Sequence, residues 1–202
     1  MRCLFDDVRG TVQSARLFGP RRYSWGTPRI FLKRAALAII CAVPAEIPPR
    51  EERDLAMMRR ALRAAESAAR NGEVPVGAVV AREGEVLATA GNERESLQDP
   101  TAHAELLALR RAAARTGSWR LTGCTLYSTL EPCPMCAGAA YAARISRLVY
   151  AAPDPKAGYA GTLFDVPSDS RLNHTFAVET GPLEAEASNV LREFFRNRRN
   201  NR

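Results

Sequence analysis

The chain has 202 residues, 46% of them hydrophobic and 25% charged, with a formal net charge of +7. This suits a soluble globular protein with one buried core, and five cysteines over this length argue against a small secreted disulfide scaffold, so a reducing cytoplasm is expected. Residues 1–50 carry nine basic and three acidic side chains and residues 51–202 carry twenty and nineteen, so bulk charge alone does not mark the folded part as a nucleic-acid binder.

Residues 1–50 read as an N-terminal extension. "FGPRRYSWGTPRIFLKR" mixes turn residues and arginines without a period. The apolar run "AALAIICAVPAEIPP" (35–49) is too short to span a bilayer and starts too far from Met1 for a secretory signal. A disordered arm, an arginine-rich targeting arm and an upstream start codon all fit it. The folded domain is placed at 51–202.

"ERDLAMMRRALRAAESAARNG" reads as an amphipathic helix, with Leu55, Met58, Leu62, Ala65 and Ala69 on one side and Asn71-Gly72 as its stop. "VPVGAVVAREGEVLATA" reads as a hairpin turning at Glu83-Gly84. "GNERESLQDP" reads as loop. "TAHAELLALRRAAART" reads as a helix ended by Gly117. "CTLYSTL" (124–130) reads as a buried strand, "PMCAGAAYAAR" as a short helix with Pro134 in its first turn, and "RLVYAA" (147–152) as another strand. Residues 153–175 read as loop, "TFAVET" as a last strand, and "GPLEAEASNVLREFFRNRR" as a closing helix with Leu183, Ala187, Val190, Leu191, Phe194 and Phe195 on its apolar side. The order predicts an α/β protein with helices on both faces of a mixed sheet.

Two chemistry-bearing features are linked by one strand. His103 and Glu105 lie two apart at a helix start, and Cys133 and Cys136 form a C-x-x-C at a second helix start. Thiolates and a neutral imidazole are zinc's preferred ligands, and three of them with a fourth position left to water make a catalytic site. Zinc lowers the pKa of bound water to about 7. Glu105 is not needed as a ligand, so it is free to carry a proton from that water to a leaving nitrogen. A lone C-x-x-C is equally a redox pair or half of a structural zinc site, and a lone H-x-E is common on surface helices. A closed site needs a fourth ligand, yet Cys3, Cys41, Cys124 and His174 stand in no paired spacing. A redox pair leaves His103 and Glu105 unexplained. Taken jointly, the pattern favours catalytic zinc.

The chain resembles the bacterial tRNA-specific adenosine deaminases, the TadA family of the zinc cytidine-deaminase-like superfamily. The resemblance rests on "EVPVGAVV" (73–80), "DPTAHAE" (99–105), "TLYSTLEPCPMCAGA" (125–139), "DPKAGYAGTLFDV" (154–166), "LNH" (172–174) and "FFRNRR" (194–199). It implies a three-layer α/β/α cytidine-deaminase-like fold with a central mixed sheet of about five strands. It also implies one Zn2+ per subunit held by His103, Cys133 and Cys136, with Glu105 as proton shuttle. Asn92, eleven residues before His103, falls on the family's pocket asparagine, which hydrogen-bonds the target nucleoside. Val76 and Ala78 fall on its base-packing wall, and Asp154, Asn173 and His174 on loop positions near bound RNA.

The metal motif does not name the base. "DPTAHAE" and "EPCPMC" also resemble guanine deaminases, so a guanine or other small nucleobase or nucleoside deaminase is the alternative. A zinc-stabilised RNA-binding module is a third reading, without catalysis. The tail "LREFFRNRRNNR" (191–202) holds five arginines and one glutamate. Alone, the tail also fits a solvated helix end, but with Phe195, Arg196, Arg198 and Arg199 placed to reach phosphates it matches the tRNA-deaminase spacing, as does "DPKAGYAG" (154–161), and that combination favours RNA. The resemblance then implies a cytoplasmic homodimer that converts adenosine to inosine at the wobble position of a tRNA anticodon stem-loop, with no membrane involved.

Overall fold

The computed structural model describes residues 48–200, so the expectations for the first 47 residues lie outside the described residues. In chain order the elements are α1 (Arg50–Arg70), β1 (Gly77–Arg82), β2 (Glu85–Gly91), α2 (Arg94–Leu97), α3 (Ala104–Thr116), β3 (Cys124–Leu130), α4 (Pro134–Ala142), β4 (Arg147–Ala152), β5 (Ala177–Thr180) and α5 (Glu184–Asn200). The hairpin turns at Glu83 and Gly84, both with positive φ (51° and 87°). Helix α3 stops at Gly117, which takes the left-handed cap (φ 65°) that glycine adopts at least cost. The segment read as loop after β2 contains the single turn α2, because its amides find a distant partner described below.

The strands form one mixed sheet in the order β2-β1-β3-β4-β5, with β1 antiparallel to β2 and β3 and with β3, β4 and β5 parallel. Strand alternation sends successive side chains to opposite faces. Val79, Tyr127 and Val149 pack with Met58 of α1 and Ala187 of α5. Val80, Leu126 and Leu148 pack with Leu107 of α3 and Ala140 of α4 on the other face. This is the three-layer α/β/α arrangement.

Small residues set how closely α1 lies on the sheet. Its buried positions are Met58, Ala61, Ala65 and Ala68: Met58 and Ala65 lie on the side expected from periodicity and Leu62 packs at the core's edge, while Ala61 and Ala68 are buried ahead of the part-covered Leu55 and Ala69. The reason lies in the partner strands, where Gly77 and Gly91 face each other across the β1–β2 ladder. A Cβ on Gly77 would stand 2.0 Å from the Ala61 carbonyl oxygen, and one on Gly91 2.9 Å from the Ala64 carbonyl oxygen. The glycines let the helix backbone approach, and only alanines fit between. Gly77→Ala is therefore expected to cost about 3 kcal/mol, the upper end of ordinary overpacking, read as a lowered thermal midpoint. An unchanged midpoint would contradict this packing.

One ion-pair network ties α1 to the sheet. Arg147 donates to both carboxylate oxygens of Asp54 (2.8 and 2.6 Å) and to both of Glu179 (3.0 and 2.7 Å), and the Tyr127 hydroxyl donates to Asp54 (2.7 Å). Burial would raise the Asp54 carboxyl, but the Arg147 hydrogen bonds override it and hold it below the ordinary value. On α5 only Ala187 is buried. The rest of its expected apolar side is half-covered or exposed, with Leu191 part-buried against the core and Phe194 and Val190 lining a cleft against α1. No helix among the described residues is long and apolar enough to cross a membrane.

Candidate active site

The topology brings four strand ends to one place. The carboxyl ends of the parallel strands β3 and β4 lead to Glu131 and Asp154, the start of antiparallel β1 follows Val76, and the end of β2 leads to Asn92. Loops beyond the carboxyl ends of parallel strands are the usual ligand crevice of open α/β sheets.

Two helices start at this crevice. Asp99 accepts hydrogen bonds from the Thr101 amide (2.8 Å) and hydroxyl (2.7 Å), a local turn that leads the chain into α3. His103 is the N-cap of α3 and Cys133 the N-cap of α4, both with extended backbone and neither capping its helix with its side chain. Pro134 follows at N1, where its fixed φ suits a helix start. The side chains turn toward each other instead. His103 Nδ1 lies 3.6 Å from Cys133 Sγ and 3.6 Å from Cys136 Sγ, and the three donor atoms lie within 4.8 Å of one another.

That geometry fits a metal. A tetrahedral zinc with bonds of about 2.3 Å to sulfur and about 2.0–2.1 Å to nitrogen places N and S about 3.6 Å apart. The protonation states point the same way. The Cys136 thiol, then His103, hold the Cys133 sulfur as a thiolate with its pKa drawn down to about 4. The thiolate neighbour in turn pushes Cys136 far above the ordinary thiol value. Two thiolates side by side repel, and a divalent cation between them relieves that conflict. The N-termini of both helices add favourable potential for thiolates.

Glu105 sits in the first turn of α3 and is 4% exposed. Burial, followed by the Cys133 charge, lifts its carboxyl to about 7, and a bound divalent cation would draw it down again. Glu105, His103 and Cys133 line one cavity of about 160 Å³ whose walls include Val76, Asn92 and Asp154. Ligand pockets for larger molecules run to about 300–1,000 Å³, so this one takes a single base-sized group and leaves more outside.

The remaining predicted positions fall elsewhere. Ala78 does not reach the cavity. It shares the parity of Val76 but lies two residues further into the sheet, fully buried in the α3-side core. The Asn173 side-chain oxygen accepts from the Tyr141 hydroxyl (2.6 Å) and from Arg144 (2.7 Å), and His174 Nε2 donates to the Ile145 carbonyl (2.8 Å). Both are thus engaged with the α4–β4 connection. Phe195 lines a groove of about 600 Å³ with Lys156, Arg192, Arg196 and Arg199. Arg198 faces away from it, into a cleft with Arg70 and Glu66 of α1.

Sequence reasoning missed Lys156, Glu131 and Glu73. Glu131 accepts from the amides of Asp154, Ala160 and Thr162, each at 3.0 Å, and from the Thr162 hydroxyl. Glu73 accepts from the amides of Glu95 (3.1 Å) and Ser96 (2.8 Å). Burial would raise each carboxyl, but the donated hydrogen bonds hold both below the ordinary glutamate value. The available signal was an acid set directly against an apolar strand run, in "EVPV" and in "TLE".

The MafB19-like deaminase family profile matches residues 52–199. A tRNA-specific adenosine deaminase of Bacillus subtilis is 48% identical over 139 residues, which cover 69% of this chain and 86% of that protein. A solved structure from a study of A-to-I editing by tRNA:A34 deaminases at the wobble position of transfer RNA matches with a TM-score of 0.66 and 43% identity, over 68% of this chain and 99% of that one. A guanine deaminase from Nitrosomonas europaea matches with a TM-score of 0.58 at 25% identity, over 76% of this chain and 96% of that one.

Proposed function

The chain belongs to the tRNA-specific adenosine deaminase family of cytidine-deaminase-like proteins, and we propose that it hydrolyses adenosine to inosine at the wobble position of a tRNA anticodon. The observation that carries this reading is the cavity, in which the His103–Cys133–Cys136 cluster and a buried carboxylate share a space for one base. In the net reaction, water replaces the C6 amino group, leaving a C6 carbonyl and ammonia.

His103, Cys133 and Cys136 would hold Zn2+, one per subunit, and the ion when bound supplies an acidified water. Glu105 is placed to carry one proton of the attacking water to ring N1 and the water's other proton to the departing N6 nitrogen. Asn92, 6% exposed on the cavity wall, is placed to hydrogen-bond the nucleoside, and Val76 packs against the base.

Beyond the cavity lies the groove of Lys156, Arg192, Arg196 and Arg199, with Phe195 43% exposed. Lys156 sits two residues after Asp154 on the cavity wall, so the groove begins where a flipped nucleotide's backbone would emerge. Cations with one exposed aromatic suit a phosphate backbone and an unstacked loop base. Replacing Lys156 and Arg199 by alanine is expected to flatten the slope of log binding constant against log salt by roughly 0.7–0.9 for each phosphate that is no longer neutralised. Titrations at several salt concentrations check this, and an unchanged slope would remove the groove from the RNA path.

Assembly as a homodimer and a cytoplasmic location belong to the same reading. On α4, Gly138 has nothing within 4 Å of where a Cβ would stand, which supports an open small-residue face for a second subunit. The test of function is direct. Zinc-loaded protein is incubated with an anticodon stem-loop bearing wobble adenosine, and separately with guanine and free adenosine. Inosine in the stem-loop is expected. Ammonia from guanine with no inosine would favour the small-base alternative.

A further inference from the structure

We propose that Glu131 and Glu73 are positioning residues: two buried carboxylates, each pinning one wall of the base cavity through backbone amides. The activity part of this inference rests on the deaminase reading above. Each carboxylate is 1% exposed. A buried carboxylate is costly unless several donors replace its lost water, and here the donors come from cavity walls.

Glu131 stands two residues before Cys133. Among the described residues its acceptor bonds all go to 154–162: the amides of Asp154, Ala160 and Thr162, and the Thr162 hydroxyl. The same join is continued by the Tyr159 amide, which donates to the Pro132 carbonyl at 2.9 Å. The loop crosses directly over the carboxylate, since a Cβ on Gly158 would stand 2.3 Å from Glu131 Oε2. That loop supplies Asp154 and Ala157 to the cavity and Lys156 to the basic groove. One side chain therefore sets the register between a metal-ligand segment and the wall facing it.

Glu73 does the equivalent on the other side. It receives the Glu95 and Ser96 amides at the start of α2, a helix whose own N-cap, Glu93, makes no side-chain cap. The segment so held carries Asn92 and Arg94, both cavity-lining. The chemistry requires acceptors only. A carboxylate offers two oxygens to these donors, whereas a glutamine would turn an NH2 toward them.

The experiment compares full-length, zinc-loaded Glu131→Gln and Glu73→Gln by steady-state kinetics on the wobble-adenosine stem-loop and by amide hydrogen exchange. Each variant is expected to raise KM by about tenfold or more while kcat changes by less than about threefold, the signature of a misplaced wall around intact chemistry. In Glu131→Gln, exchange across 154–162 accelerates at least about tenfold with 94–96 unchanged, and Glu73→Gln gives the reverse. An unchanged KM, or both segments loosening together in either variant, overturns the proposal. Should Glu131→Gln fail to fold, Thr162→Val removes one bond from the exposed side of the same clamp. It is expected to raise KM by about threefold and speed exchange in 154–162, and no change in either overturns the proposal. Exchange is read without turnover. A wild-type protein that makes no inosine therefore sinks the function, while the exchange pattern still decides the pinning.

Discussion

Glu105→Gln is expected to lower deamination of the stem-loop by about 10²–10⁴-fold, the range for losing a positioned general acid–base, with zinc content and thermal midpoint preserved. The reasoning is geometric. Glu105 lines the same cavity as His103 and Cys133, yet the metal cluster is complete without it. Glutamine keeps the volume at this buried cavity-wall position but cannot take a proton from water or return one to N1. Retained turnover would assign the proton transfer elsewhere. Loss of zinc together with turnover would make Glu105 part of the metal shell. RNA binding intact in a protein that never turned over would leave only the binding-module reading.

The largest effect on stability is expected at Arg147. Its side chain and that of Asp54 are each 13% exposed, and it also pairs with Glu179. Arg147→Met leaves the largely covered Asp54 carboxylate with the Tyr127 hydroxyl and, at 4.0 Å, the exposed Arg50 guanidinium, and breaking a buried pair from one side costs about 3–5 kcal/mol. Chemical denaturation measures it. The pH dependence follows from Asp54, whose carboxyl is lowered in the folded protein from its usual 3.8. A group lowered on folding adds stability that is full above its unfolded value and fades as pH falls through the folded one. Wild-type stability should therefore drop below about pH 4, and the Arg147→Met variant should lose part of that acid slope. A cost below about 1 kcal/mol would place the network with ordinary surface pairs.

Much of the fold was legible because it is written in local patterns. The runs 124–130 and 147–152 are strands with those bounds, since uninterrupted apolar residues between turn signals leave little else. Helix α3 ends at Gly117 because a left-handed cap favours glycine. What was not legible depends on partners far away in the chain. Periodicity placed Met58 and Ala65 correctly in the core stripe of α1, but Gly77 and Gly91 on two strands shift the stripe toward Ala61 and Ala68, leaving Leu55 and Leu62 at its edge. The turn α2 forms because Glu73, some twenty residues earlier, caps it.

The candidate site divides the same way. His103, Glu105, Cys133 and Cys136 announce themselves by residue type and spacing, and Asn92 and Val76 join their cavity. Ala78 could not be separated from Val76 by parity alone, as depth in the sheet decides which one lines space. Lys156 reaches the basic groove only because the loop that carries it folds back over Glu131.

Zinc K-edge absorption on the purified full-length protein tests the metal centre most directly. It should show one zinc per chain with two sulfurs at about 2.3 Å and two lighter donors at about 2.0–2.1 Å, of which one is an imidazole. A third sulfur, a second imidazole filling the shell, or no bound zinc would contradict a centre that keeps a place for water beside Glu105.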